Sequence, residues 1–115
     1  MIKKLKFTAV FLALVTILMT LTSCAAPTTD EVAGIYKGSY DYNGNSFTVT
    51  IVITENNTYT KHVSKNGNTP TAEIGSYEID GNKILCKKYG EDSVTVYKYS
   101  KNTLTNNKHK FKKTN

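Results

Sequence analysis

From Val32 onward, apolar and polar residues alternate in short runs rich in Val, Ile, Thr and Tyr. Pairs of turn-forming residues separate them: Asn43-Gly44, Asn56-Asn57, Asn66-Gly67, Asp80-Gly81, Gly90-Glu91, Lys101-Asn102 and Asn106-Asn107. A period of two between turn signals predicts half-buried strands, and no stretch of this region has the i, i+3, i+4 apolar spacing of a long helix. The predicted strands cover 34–41, 46–55, 58–65, 72–79, 83–89, 93–100, 103–105 and 108–113. Connections of only a few residues make consecutive strands antiparallel neighbours. The expected fold is all-β, a small up-and-down meander barrel of about eight strands.

Register follows from the turns. A two-residue Asn43-Gly44 loop sets Tyr42 against Asn45, hence Tyr40 against Phe47, Gly38 against Val49, Tyr36 against Ile51 and Gly34 against Ile53. The large apolar residues of those pairs share one face, and Lys37, Ser39, Thr48 and Thr50 take the other. The same construction on Asp80-Gly81 pairs Tyr77 with Ile84 and Gly75 with Cys86, which puts Cys86 on the core face. At Asn56-Asn57 a three-residue loop, with Asn57 in the left-handed region, turns Tyr59 and Val63 inward. A two-residue loop would instead bury Thr60 and His62. Transfer energy favours the first by a few kcal/mol, at the cost of carrying Lys61 to a barrel mouth. If Val94 and Val96 pair with Lys88 and Cys86, then Tyr89, Tyr97 and Tyr99 face outward. An outward tyrosine cluster marks a candidate partner surface; the β-propensity of tyrosine explains it equally well.

The start of the chain has a different pattern. Lys3, Lys4 and Lys6 precede an apolar run from Phe7 to Leu21, interrupted by Thr8, Thr16 and Thr20, and then Thr22-Ser23-Cys24. A basic region, an apolar region and small residues before a cut site make a secretory signal. The 15-residue apolar run is shorter than the ~20 residues of a spanning helix. Leu21-Thr22-Ser23-Cys24 resembles the bacterial lipobox, which implies diacylglycerol on the Cys24 thiol and cleavage between Ser23 and Cys24. The organisation expected is a signal over 1–23, an acylated N-terminus and tether over 24–31, and the barrel over 32–115. The protein is then held on the extracytoplasmic face of a cell membrane.

That reading changes the charge. The chain has 15 basic and 9 acidic groups, and removing Lys3, Lys4 and Lys6 leaves 12 against 9, or +3. Nucleic acid is not indicated by so small an excess. With Cys24 alkylated, Cys86 is the remaining thiol and no intramolecular disulfide forms; burial is favoured over a reactive role.

No residue set announces catalysis. His62 and His109 have no second histidine or cysteine at metal-ligand spacing, Glu91-Asp92 and Asp30-Glu31 fall in a turn and the tether, and no phosphate loop or dinucleotide fingerprint is present. No catalytic residue, metal or cofactor is expected. Lys108, Lys110 and Lys112 alternate with His109 and Phe111. Such a lysine face suits anionic lipid or wall polymer; on a terminal strand it also serves as protection of a sheet edge, the preferred explanation from sequence.

Gly34-Ile35-Tyr36-Lys37-Gly38, Thr58-Tyr59-Thr60, Gly75-Ser76-Tyr77-Glu78-Ile79 with Gly81-Asn82-Lys83-Ile84, and Lys110-Phe111-Lys112-Lys113 resemble the short lipocalin-like domains of bacterial lipoproteins. The opening Gly-x-Tyr is similar to that of the N-terminal domain of NlpE-type copper-resistance lipoproteins. Where that domain carries paired cysteines, this chain has Asp41-Tyr42-Asn43-Gly44-Asn45, so thiol metal binding does not carry over. The resemblance implies a monomeric, non-enzymatic binding protein for a small apolar ligand or an envelope partner. A structural or sensory interaction module without a cavity is the alternative. Tyr36, Tyr59, Lys61 and Tyr77 are expected to line a shallow ligand mouth, with their hydroxyls gathered at one open end.

Overall fold

The computed structural model describes residues 26–114; the signal segment and Cys24 lie outside them. After one helical turn, α1 (Thr29–Val32), come eight strands: β1 (Gly34–Tyr42), β2 (Asn45–Ile53), β3 (Thr58–Lys65), β4 (Thr71–Asp80), β5 (Lys83–Lys88), β6 (Val94–Ser100), β7 (Thr103–Asn106) and β8 (His109–Lys113). Each pairs antiparallel with the next, and β8 returns to β1 through Tyr36 opposite Lys113 and Lys37 opposite Lys112. The barrel is closed, in strand order one to eight.

The first hairpin has the register that its turn demands, from Tyr42 opposite Asn45 to Gly34 opposite Ile53. Asn43 and Gly44 both have positive φ, 52° and 78°, as a type I′ turn requires. The three-residue loop also forms, with Asn57 at φ 67° and Ile53 opposite Tyr59, so Tyr59, Lys61 and Val63 turn inward.

Two registers differ from the sequence expectation. The β4–β5 turn is centred on Gly81-Asn82, so Asp80 faces Lys83, Tyr77 faces Cys86 and Gly75 faces Lys88. Positive φ occurs at Gly81 and not at Asp80. A turn with glycine in its first central position needs one left-handed residue, and the glycine supplies it without steric cost. The shift is two residues, so Cys86 still points inward, although its partner is Tyr77 and not Gly75.

The β5–β6 shift is one residue. Lys87 faces Val94, Cys86 faces Thr95 and Ile84 faces Tyr97. A one-residue slip exchanges the two faces of a strand. Tyr97 is thereby only 3% exposed, while Val94 and Val96 lie on the outside. The larger side chain takes the inner position because a phenol ring buries more surface than a valine, and Tyr97 meets Phe111 edge-on at 6.1 Å.

A third difference lies at the entry. Residues 29–31 form the start of α1, part of the fold and not of a free tether. Thr28 accepts a hydrogen bond from the Glu31 amide while the Glu31 carboxylate accepts one from Thr28 N, a complete capping box. The turn drives Val32 into the core, where it is fully buried. Val32, Tyr36, Val49, Ile51, Ile53, Tyr59, Tyr77, Ile84, Cys86, Tyr97, Leu104 and Phe111 form one cluster, flanked by Tyr40, Val63, Ile79 and Tyr99.

Candidate functional site

The phenols expected to gather at one mouth separate. Tyr36 and Tyr77 reach the barrel end that α1 covers. Tyr36 Oη donates to the Val32 carbonyl at 2.5 Å, and Tyr77 Oη donates to the Thr54 carbonyl in the β2–β3 loop at 2.6 Å. Tyr59 Oη turns the other way and donates to Glu73 Oε2 at 2.5 Å. Glu73 and Lys61 face each other across β3 and β4. Of the four predicted mouth residues, Tyr36 and Tyr77 thus seal the covered end, while Tyr59 and Lys61 belong to the opposite half.

These contacts account for the polarity of the interior. Among the described residues, no buried side-chain nitrogen or oxygen lacks a partner. Burial raises the titration of Tyr36, Tyr59, Tyr77 and Tyr97 above the ordinary phenol range. At Tyr59 the hydrogen bond to Glu73 and that carboxylate's charge add to the effect. Desolvation and, to a lesser degree, the Glu73 charge push the Cys86 thiol up to about 12 against the opposing charge of Lys61. A thiol held protonated in this way is a poor nucleophile and a poor metal ligand.

The end away from α1 is lined by half-buried residues. Tyr40 stacks on Phe47 with centroids 5.2 Å apart and on His109 at 4.2 Å, while Val63, Lys61 and Glu73 also face inward near this end. Tyr40 and Phe47 were legible as inward-facing from the first hairpin. His109 was not, because closure of β8 onto β1 brings it there. His62 lies on the outer face, opposite Thr50, and no group of three metal-ligating side chains occurs among the described residues.

The outer tyrosine surface does not form as expected. Tyr97 is in the core, and half-buried Tyr99 donates to the Glu31 carbonyl at 3.2 Å and to Asn102 at 3.0 Å. Tyr89 alone of the three is exposed. The slip that buries Tyr97 assembles another surface in its place: Ile74, Tyr89, Val94 and Val96, each between 41 and 58% exposed, lie on the outside of β4, β6 and the end of β5. Tyr89 N bonds the Ile74 carbonyl, and Leu85 sits between Glu78 and Val96. Ser76, Tyr77, Glu78, Leu85, Lys87 and Val94 bound a shallow groove of about 400 Å³. No family model, curated protein or solved structure matches this chain.

Proposed function

We propose that this chain is a lipid-anchored, extracytoplasmic binding protein of a bacterial envelope, without catalysis, that takes an envelope protein on the outer face of β4–β6. The observation that carries the reading is the clustering of Ile74, Tyr89, Val94 and Val96 on that face, since exposed apolar residues gathered in one place mark interaction sites where scattered ones do not. The lipobox-like Leu21-Thr22-Ser23-Cys24 supports the anchor, and the resemblance to lipocalin-like lipoprotein domains supports the location. Four inward tyrosines and Phe111 within one buried cluster favour an outer-face partner over a deep ligand cup.

A small apolar ligand is the second reading, favoured by the Tyr40–Phe47–His109 stack at the uncovered end. Site-specific photo-crosslinking in intact cells separates the two. A crosslinker at position 94 or 96 is expected to trap a discrete species, lost when Ile74→Lys is added, while one at position 48 on the far face traps none. No trapping from 94 or 96, with stoichiometric fatty-acid or dye binding abolished by Tyr40→Ala, transfers the function to the uncovered end. Mass spectrometry of Cys24, acylated in the native protein and unprocessed in Cys24→Ala, tests the anchor.

A further inference from the structure

We propose that the outer face running from β5 through β8 to β1 rests on an anionic phospholipid bilayer. Lys37, Lys83, Lys98, Lys110 and Lys112 all project from this face and all are exposed. Lys98 faces Thr105, which faces Lys110, and Thr103 faces Lys112, which faces Lys37, so ammonium and hydroxyl donors alternate across neighbouring strands. Lys83 lies directly opposite Lys98, and Lys37 directly opposite Lys112. Like charges in such positions destabilise a sheet. Among the described residues the ion pairs are Lys87–Asp92 and Lys88–Glu91, both beside the β5–β6 loop, so none of the five is neutralised by a carboxylate. Asp41, at the far end of β1, and Asp80 and Glu78 on β4, opposite Lys83 and Leu85, are the strand acids at its margins. Edge protection does not explain these lysines, because β8 is paired on both sides in the closed barrel.

The anchor selects the occupant; this step rests on the reading of Cys24 as acylated. The Glu31 carbonyl accepts from Tyr99 Oη on β6 and from Lys113 Nζ on β8, the latter at 2.6 Å, which pins α1 over the ends of the strands that carry the lysines. From Cys24 to Thr28 is four residues, a reach of at most ~13–14 Å. The screening length at physiological salt is ~8 Å. A leash less than twice that length keeps the barrel close to the surface charge, and its cationic side is the one drawn down. Ile74, Tyr89, Val94 and Val96 share the outside of β4–β6 with Lys83 and Lys98 but lie toward the β5–β6 loop, at the end away from α1, so a barrel tethered at its α1 end leaves them open to a protein.

The test uses the mature chain bearing Cys24→Ala, which has no lipid and retains α1 and every strand. It is expected to sediment with vesicles of equal phosphatidylglycerol and phosphatidylcholine at least 10-fold more strongly than with phosphatidylcholine alone, and to be released by salt. A basic residue near an anionic surface contributes on the order of 5-fold in affinity, so Lys98→Glu/Lys110→Glu/Lys112→Glu is expected to lose roughly 100-fold or more. The charge-matched Lys65→Glu/Lys87→Glu/Lys88→Glu is expected to stay within about 3-fold of the parent, with circular dichroism unchanged in both. No preference for phosphatidylglycerol, equal losses in the two triple variants, or binding of soluble polyphosphate without binding of vesicles overturns the proposal. Acylation of Cys24 is read separately by mass, so failure of the anchor and failure of the face are distinguishable.

Discussion

Gly75 lies beneath the ring of Tyr59. A Cβ at position 75 would stand 2.7 Å from Tyr59 Cε1 and would also collide with the Lys87 carbonyl oxygen on the next strand. The missing side chain is what allows a phenol to cross the barrel interior and reach Glu73. Gly38 does the same for Phe111, whose Cδ1 would be 2.7 Å from a Cβ there. In both places a glycine inside a strand marks a close approach and not a turn.

Gly75→Ala is therefore expected to destabilise the barrel by about 3 kcal/mol, at the upper end of the overpacking range, because the Lys87 carbonyl it would strike is backbone and cannot rotate away. For a domain of this size that lowers Tm by roughly 12 °C or more. Ser39→Ala, on the exposed outer face of β1, is expected to change stability by less than about 0.5 kcal/mol. Thermal melts of the two variants check both, and an unchanged Tm for Gly75→Ala would contradict the packing of Tyr59.

Cys86 is expected to resist thiol reagents in the native protein and to react within seconds in urea. It is buried opposite Tyr77, and its thiol, pushed up to about 12, holds almost no thiolate at neutral pH. Native labelling should follow the opening of the barrel, and so accelerate in Gly75→Ala with the exponential of the lost stability, roughly 100-fold for about 3 kcal/mol. Equal rates with and without urea would place Cys86 at the surface.

Stability is expected to be flat from neutral pH to about pH 9 and then to fall. Cys86, Tyr36, Tyr59 and Tyr97 all titrate above their ordinary values of 9.0 and 10.0 when folded, chiefly through burial. The unfolded chain releases these protons first, so unfolding is favoured as pH rises from the unfolded values toward the folded ones. Tyrosinate absorbance from these buried rings should appear in the same transition as the loss of far-ultraviolet circular dichroism. A phenolate step complete before the β signal changes would show the rings to be accessible.

The plug at the covered end separates local from global loss. Tyr36→Phe removes the hydrogen bond to the Val32 carbonyl at a cost of about 1 kcal/mol, and faster exchange of the Val32 and Ala33 amides, which close α1 on Thr28 and Thr29, is its expected sign. Val32→Ala empties a wholly buried site and should cost roughly 1–2 kcal/mol across the whole barrel. Hydrogen exchange with a chemical denaturation curve for each variant distinguishes the two.

Local chemistry determined much of this protein. Asn43-Gly44 carries its own turn geometry, and the alternation of Tyr36, Gly38 and Tyr40 against Ile51, Val49 and Phe47 agrees with it, so turn and pattern specify one register. Asn57 likewise has the side chain that a three-residue loop calls for. The capping box was equally local, since Thr28 and Glu31 stand three apart, but a single turn is too short to show periodicity, so the sequence reads there as tether. Tertiary structure decided the rest. The β5–β6 loop carries no turn pair strong enough to choose between registers one residue apart, and the choice fell to volume: the interior between Ile84 and Phe111 takes the ring of Tyr97, and valines in its place would leave it underfilled. Closure of β8 onto β1 depends on strands at opposite ends of the domain and has no local signal. That closure removes the edge, so the lysines of β8, which read in sequence as protection of a terminal strand, stand on a strand paired on both sides.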